Sequence, residues 1–188
     1  PTGHRCAHPV PAVRVVERDA RDGGSIVGAE HADILEGAPV EERRAVTNLD
    51  AEIVALLTQI QNDLFDVGAD LSTPVVDSPS VTPLRITQNY VDFLEQHCDK
   101  YNDTLSPLNS FVLPGGSPAS AHLHVARTVV RRAERSTWAA LDMYHGGMNP
   151  LTATYLNRLS DLLFILARVT NHEHGDVLWQ PGAHKPQN

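Results

Sequence analysis

Cysteine and aromatic residues are scarce in this sequence. Of 188 residues, two are cysteines and 5% are aromatic, whereas 41% are hydrophobic. Aliphatic side chains must therefore fill most of the core. The spacing of Cys6 and Cys98 matches neither a disulfide framework nor a metal-binding pattern, so we expect two reduced thiols. The length favours one domain, and the hydrophobic fraction argues against a disordered chain.

Features of several functional classes are also missing. No apolar run approaches the ~20 residues of a membrane-spanning helix, and the first residues contain no signal-peptide core, so we predict a cytoplasmic protein without membrane contact. The formal net charge is -8, whereas nucleic-acid binders are usually basic, so no nucleic-acid partner is expected. No glutamate precedes a histidine by three residues, as a di-iron bundle requires, and no G-x-S-x-G sequence indicates a serine hydrolase.

The chain changes character near residue 45. Residues 1–45 mix Gly, Pro, Arg and Asp with little periodicity, and we expect them to be poorly ordered or loosely attached. Over residues 46–188 the hydrophobic spacing predicts an all-α up-down bundle of four antiparallel helices, with a fifth helix before residue 46 left open. The predicted helices start at a cap on Thr47 or Asn48 and end at Leu71, then span about Ile86–Tyr101, Pro118–Tyr144 and Asn149–Asn171. Leu64 is expected to face the core, and Leu178 and Trp179 to pack back onto the bundle.

The clearest candidate site is the stretch HVARTVVRRAER, His124–Arg135. Arg127, Arg131 and Arg135 are spaced four apart, so their side chains share one face of a helix. Like charges in a row repel each other, and a polyphosphate would offset this through charge-assisted hydrogen bonds. Glu134 could pair with an arginine or orient one. A solvated basic face is the competing interpretation, and the spacing alone slightly favours it.

Two further patterns are weaker. Asn157 and Asp161 are four apart within an apolar stretch, where an unpaired polar group costs about 1–3 kcal/mol, so partners are expected. A structural hydrogen bond or an ion pair to the arginine helix would explain them as well as a binding site. The Gly-Gly turn of SFVLPGGS, Ser110–Ser117, leads into a helix N-terminus and could hold an anion, although a plain turn and cap is the simpler interpretation.

Together and in this order, these segments resemble the PduO-type cob(I)alamin adenosyltransferases. Each motif alone is modest, whereas the combination is specific. The resemblance covers roughly the last three quarters of the chain. The matching stretches are QNDLFDVGADLSTP (Gln61–Pro74), FVLPGGSPAS (Phe111–Ser120), HVARTVVRRAER (His124–Arg135), YLNRLSDLLFILAR (Tyr155–Arg168) and DVLWQPG (Asp176–Gly182).

The resemblance implies a homotrimer of helical bundles with active sites between subunits. The implied reaction transfers the 5'-deoxyadenosyl group of ATP to cob(I)alamin and releases triphosphate. Reduced cobalt is itself the nucleophile, so no general base is needed. Mg²⁺ is expected with ATP, although no metal ligand can be named. The family also implies a reductase and a cobalamin-dependent mutase as partners.

Site residues follow from the resemblance position by position. Phe111 matches an aromatic residue that displaces the lower axial ligand of cobalt, and Phe164 matches an aromatic residue of the corrinoid pocket. Arg127 matches a catalytic arginine that the family pairs with an acidic residue near the N-terminus of another subunit. The positions that match the family's ATP contacts are Arg131, Arg132, Glu134, Arg135 and Asn157.

The N-terminal segment departs from the family. These proteins normally open with a threonine- and glycine-rich ATP loop of the form TRTGDxGTT, and Pro1–Arg44 contain no such loop. We therefore expect weak or absent adenosyltransferase activity, with corrinoid binding better preserved than catalysis. Two alternatives stay open: a corrinoid-binding or delivery module without ATP chemistry, and a structural bundle without a ligand.

Overall fold

The computed structural model describes residues 49–77, 79 and 81–182. This part of the chain contains four α-helices and one isolated antiparallel bridge between Val112 and Leu178. The predicted all-α architecture is therefore confirmed, while the fifth helix left open before residue 46 lies outside the described residues. The helices are α1 (Ala51–Leu71), α2 (Gln88–Asn102), α3 (Pro118–Met143) and α4 (Leu151–Val169).

Helix ends follow local capping chemistry. The predicted cap of α1 is wrong by two or three residues, because Asp50 caps this helix and its carboxylate accepts a hydrogen bond from the Glu52 backbone N–H at 2.8 Å. Ser117 caps α3 as predicted, accepting from the Ser120 N–H at 3.1 Å. At the start of α4, the Asn149 side chain accepts from the Leu151 N–H at 3.1 Å.

The helices alternate in direction along the chain. In three of the helix pairs that contact each other, the start of one helix lies against the end of the other, so the two helices of each such pair run antiparallel. The predicted up-down topology is therefore confirmed. The contacts that show this are Glu52 with Lys100 for α1 and α2, Asp70 with Asn149 for α1 and α4, and Ser117 with Thr170 for α3 and α4.

The central helix is α4, which packs against α3, α2 and, over a shorter length, α1. Its predicted inward leucines Leu159, Leu162 and Leu166 are fully buried. On α1 the prediction for Leu64 is wrong, since this side chain is 37% exposed and Val67 faces inward instead. No helix in the described part of the chain is long and apolar enough to cross a membrane.

A buried aspartate holds the ends of three segments together. One carboxylate oxygen of Asp70 accepts from the Arg85 guanidinium at 2.6 Å. The other oxygen accepts from the Ile86 N–H at 2.7 Å and from the Asn149 amide at 2.6 Å. This carboxylate thus joins the end of α1 to the segments that lead into α2 and α4. Because it is fully buried and fully paired, removing it would leave an uncompensated guanidinium and two orphaned donors.

We expect Asp70→Ala to lower the free energy of unfolding by about 3 kcal/mol, the scale for breaking a buried ion pair from one side. Urea denaturation followed by far-ultraviolet circular dichroism measures this change. Asp92→Ala is the matched control, because Asp92 makes only an intrahelical hydrogen bond to Gln88 on an exposed surface. Equal denaturation midpoints for the two variants would show that the Asp70 network does not stabilise the fold.

Candidate functional site

A buried glutamate links the arginine helix to α4. Glu134 is only 4% exposed. Its carboxylate pairs with the Arg131 guanidinium one helical turn away and accepts a hydrogen bond from the Asn157 amide at 2.8 Å. The prediction that Glu134 pairs with an arginine is therefore confirmed. Because Glu134 occupies one edge of the Arg131 guanidinium, the other N–H donors of Arg131 can bind a ligand at the exposed surface of the helix.

The four arginines of this helix have three different environments. Arg131 is paired with Glu134, and the guanidinium of Arg127 lies over the Phe164 ring, 5.2 Å from the ring centroid. Arg132 and Arg135 are exposed and form no ion pair within the described residues. The interpretation as a solvated basic face therefore fits Arg132 and Arg135. It fails for Arg127, which lies over Phe164 of α4, and for Arg131, which pairs with the buried Glu134.

Phe164 lies between a cation and a buried histidine. The His124 ring meets it nearly edge-on, with centroids 6.1 Å apart, and Arg127 lies over the same ring. Burial, followed by the nearby Arg127 charge, lowers the pKa of His124, while Asp176 acts in the opposite direction. His124 is therefore a neutral imidazole at neutral pH, which suits a ring that packs beside a guanidinium. Sequence reasoning assigned it no role because a lone histidine on a helix carries no spacing signal.

Phe111 lies in one of two short backbone segments, residues 111–113 and 177–179, that pair through hydrogen bonds. We call these paired segments the Phe111 clip. The Trp179 N–H donates to the Phe111 carbonyl at 2.8 Å, and the Leu113 N–H donates to the Val177 carbonyl at 2.7 Å. The Phe111 ring is 75% exposed and contacts the Trp179 ring at a centroid distance of 5.8 Å. The tail thus returns as predicted, but Trp179 packs on the Phe111 loop, at the edge of the bundle.

The glycine turn after Phe111 is a structural cap. Gly116 has a φ of 93°, and a Cβ there would lie 2.2 Å from the Asn171 amide oxygen. That oxygen already accepts from the Ser117 N–H at 2.9 Å, and the Ser120 N–H is taken by the Ser117 hydroxyl. Because these amides are occupied, the geometry favours the plain turn and cap over the anion site.

The remaining polar candidates stay apart. Asp161 pairs with Arg158 at 3.2 Å on its own helix, so it does not join Asn157 at the arginine helix. His122 is exposed while His124 is buried, so the two cannot share a metal ion. The described residues contain no group of three or more His, Cys, Asp or Glu side chains that could hold a metal.

The predicted residues of α3 and α4 form one strip along the antiparallel pair. Arg127 and Phe164 lie at one level, and Glu134 and Asn157 lie roughly 10 Å further along, at 1.5 Å per residue. An aromatic and cationic surface thus adjoins a polar, arginine-bearing one. Such a strip can contact a flat apolar ring system at one end and a polyanion at the other.

Comparison with known proteins agrees with this geometry. The family model described as cobalamin adenosyltransferase matches residues 34–170. The corrinoid adenosyltransferase of Mycobacterium tuberculosis is 58% identical over 169 residues, which span 90% of this chain and 84% of that protein. A match of this length includes part of residues 1–45. The corrinoid adenosyltransferase of Bacillus subtilis is 40% identical over 134 residues, 70% of this chain and 66% of that protein.

Solved structures give the same result. A variant of the PduO-type ATP:corrinoid adenosyltransferase from Lactobacillus reuteri, complexed with cobalamin and ATP, superposes with a TM-score of 0.63 at 31% identity, covering 73% of this chain and 77% of that one. A second variant, complexed with ATP, gives a TM-score of 0.60 at 32% identity over 73% and 78% of the two chains. On the matched sequence and the matched fold, this chain belongs to the cobalamin adenosyltransferase family.

Proposed function

We propose that this chain transfers the 5'-deoxyadenosyl group of ATP to cob(I)alamin. In this reaction a bond forms between cobalt and the C5' carbon while the C5'–O bond breaks, and triphosphate leaves with the electron pair. The observation that carries the proposal is the buried Glu134 carboxylate, which holds Arg131 and Asn157 together. The strip continues to the Arg127 and Phe164 pair, so nucleotide and corrinoid contacts adjoin.

The protein's contribution is placement and charge. Arg131, held by Glu134, would direct its remaining N–H donors at the triphosphate, where negative charge builds up as the C5'–O bond breaks. Asn157 is held by the same carboxylate and would contact the nucleotide from α4. No side chain has to remove a proton, because the cobalt nucleophile carries its own electron pair. Mg²⁺, when bound with ATP, would neutralise part of the negative charge on the triphosphate oxygens.

Phe111 fits the corrinoid side of the site. The Phe111 ring is 75% exposed and lies beside the partly exposed Trp179 ring, so the two form an apolar surface that a ligand can cover. The lower face of a corrinoid would do so, and an aromatic ring there would take the place of the axial nitrogen ligand. Four-coordinate Co(II) accepts an electron more readily, so this contact would ease reduction to the nucleophilic state. Arg127 from α3 and Phe164 from α4 would line the same pocket.

A homotrimer would complete the site. The outward face of α3 carries Val125 and Val129, both substantially exposed, beside Arg132, which forms no ion pair with the residues that the structure describes. Apolar and cationic groups together on one helix face are suited to a second copy that brings an acidic group and a further wall of the nucleotide site. Arg127 would meet its acidic partner there.

The cellular setting follows from the same proposal. A reductase must supply the electron that forms cob(I)alamin, and a cobalamin-dependent mutase is the expected consumer of the product. Cytoplasmic location stays a prediction. The alternative function is a corrinoid-binding or delivery module without ATP chemistry, favoured by the missing ATP loop in residues 1–45. The Arg131–Glu134–Asn157 cluster, built around the buried Glu134 carboxylate, favours the enzyme.

Activity separates the enzyme from the delivery module. With excess reductant, cob(II)alamin and ATP, we expect the spectrum of adenosylcobalamin to appear more slowly than with the Mycobacterium tuberculosis relative assayed alongside, because residues 1–45 lack the family's ATP loop. Corrinoid binding without any product would support delivery instead. A rate equal to that of the relative would contradict the expected impairment.

Arg131→Lys tests the ATP contacts. Lysine keeps the positive charge, but it lacks the planar guanidinium that can bind two phosphate oxygens while it also pairs with Glu134. We therefore expect ATP affinity to fall about tenfold. Isothermal titration measures the affinity. Arg158→Lys is the matched control, since Arg158 is an α4 arginine whose partners are Glu95 and Asp161. Equal losses in both variants would argue against a specific ATP contact by Arg131.

Sedimentation velocity tests the trimer. We expect a species of three times the 20.5 kDa chain mass, and we expect Val129→Glu to dissociate it by placing a charge in the apolar contact. Val81→Glu is the control, because Val81 lies in an exposed loop. A monomer that retains ATP-dependent adenosylation would contradict assembly of the site between subunits.

A further inference from the structure

Two polar side chains are buried at the C-terminal end of the central helix. Arg168 is 8% exposed and Asn171, three residues later, is 2% exposed. The leucine stripe of α4 makes this end of the bundle apolar, where an unpaired polar or charged group would be strongly unfavourable. The hydrogen-bond partners of Arg168 and Asn171 therefore explain why these two polar side chains can be buried.

Arg168 contacts both chain segments that lead to the Phe111 clip. Its Nη2 donates to the Ser106 carbonyl at 2.8 Å, upstream of Phe111. Its Nε donates to the Asp176 carboxylate at 2.9 Å, directly before the tail strand. The side chains of Arg168 and Asp176 are 8% and 19% exposed, so this pair is well shielded from solvent.

Asn171 also contacts both the loop that carries Phe111 and the C-terminal tail. Its Oδ1 accepts from the Ser117 N–H at 2.9 Å, downstream of Phe111, and its Nδ2 donates to the Gly175 carbonyl. The close approach of Gly116 to this amide leaves no room for a Cβ. Arg168 and Asn171 thus hold the loop at Ser106 and Ser117, and the tail at two consecutive residues.

These contacts matter because Phe111 has little packing of its own. Its ring is mostly exposed, so the bundle core does not fix its position. The position of the ring follows from the backbone clip with residues 177–179, and the clip follows from where the loop and the tail are anchored. Both anchors lie at the C-terminal end of the most buried helix, with Arg168 in its last turn and Asn171 just beyond it.

We infer that Arg168 and Asn171 are positioning residues that hold Phe111 and Trp179 at the corrinoid side of the site. We call this pair the brace. The inference rests on the proposed function, and neither residue is assigned a contact with substrate. The brace lies roughly 16 Å along α4 from Asn157, at 1.5 Å per residue, so its loss should affect the corrinoid step and leave the ATP contacts in place.

The first experiment needs no substrate. The chain has two tryptophans, so Trp138→Phe leaves Trp179 as the only reporter. In this background we expect Asp176→Ala to free the tail and raise acrylamide quenching of Trp179 about twofold, because a side chain that is 44% exposed becomes fully exposed. Asp176→Asn keeps an oxygen for the Arg168 Nε and should restore most of the protection. The circular dichroism melting curve shows whether the bundle stays folded.

The second experiment uses cob(II)alamin with saturating ATP. We expect Asp176→Ala and Asn171→Asp to weaken corrinoid binding on the order of tenfold, because a displacement of about 1 Å at a reacting site is enough to produce changes of this size. They should also reduce the electron paramagnetic resonance signal of four-coordinate Co(II), while ATP affinity stays within about twofold of the parent. Asp176→Asn should recover the signal.

The outcomes separate the brace from the function. Unchanged Trp179 quenching in folded Asp176→Ala would overturn the brace, whatever the chain binds. Equal losses of ATP and corrinoid affinity in that variant would also overturn it, since they would indicate general destabilisation. If the parent chain does not bind cobalamin, the proposed function fails, and the quenching result with its Asp176→Asn recovery still decides whether the brace holds the clip.

Discussion

Burial of α4 on almost every side is the constraint on which the other features depend. A helix in that position can carry a polar side chain only where a partner meets it, because an unpaired buried group is costly. Tyr155 donates its hydroxyl to Asp63 at 3.1 Å, and Asn157 donates to Glu134. Burial and the Asp63 charge raise the pKa of Tyr155, so the hydroxyl stays a donor throughout the physiological range.

The polar side chains of α4, including Arg168, join this helix to different neighbours. Tyr155 fixes α1, Asn157 fixes α3, and Arg168 fixes the loop and the tail. The candidate site occupies the α3 side of this arrangement, so the buried core and the candidate site share one helix. A local cationic strip on a chain of net charge -8 also suits a small polyanion better than a polymer.

Much of the fold was predictable because helical periodicity is a local property. The four helices, the Ser117 cap and the link between Glu134 and an arginine one turn away all follow from spacing along one segment. The prediction for Leu64 failed because periodicity allowed two inward stripes on α1. Tertiary contacts selected the stripe that carries Asp63 and Asp70, whose carboxylates meet Tyr155 and Arg85. Hydrophobicity alone would place neither aspartate inside.

The sequence by itself determined the all-α class, the arginine helix and the family resemblance, since each depends on residue order within short stretches. It predicted roles for Arg127 and Phe111 only through that resemblance. Tertiary structure decided that Arg127 lies over Phe164, that His124 packs against the same ring, and that Arg168 and Asn171 hold the Phe111 loop. These contacts join residues up to 62 positions apart, and no local pattern encodes them, because they exist only once the helices and the tail have packed together.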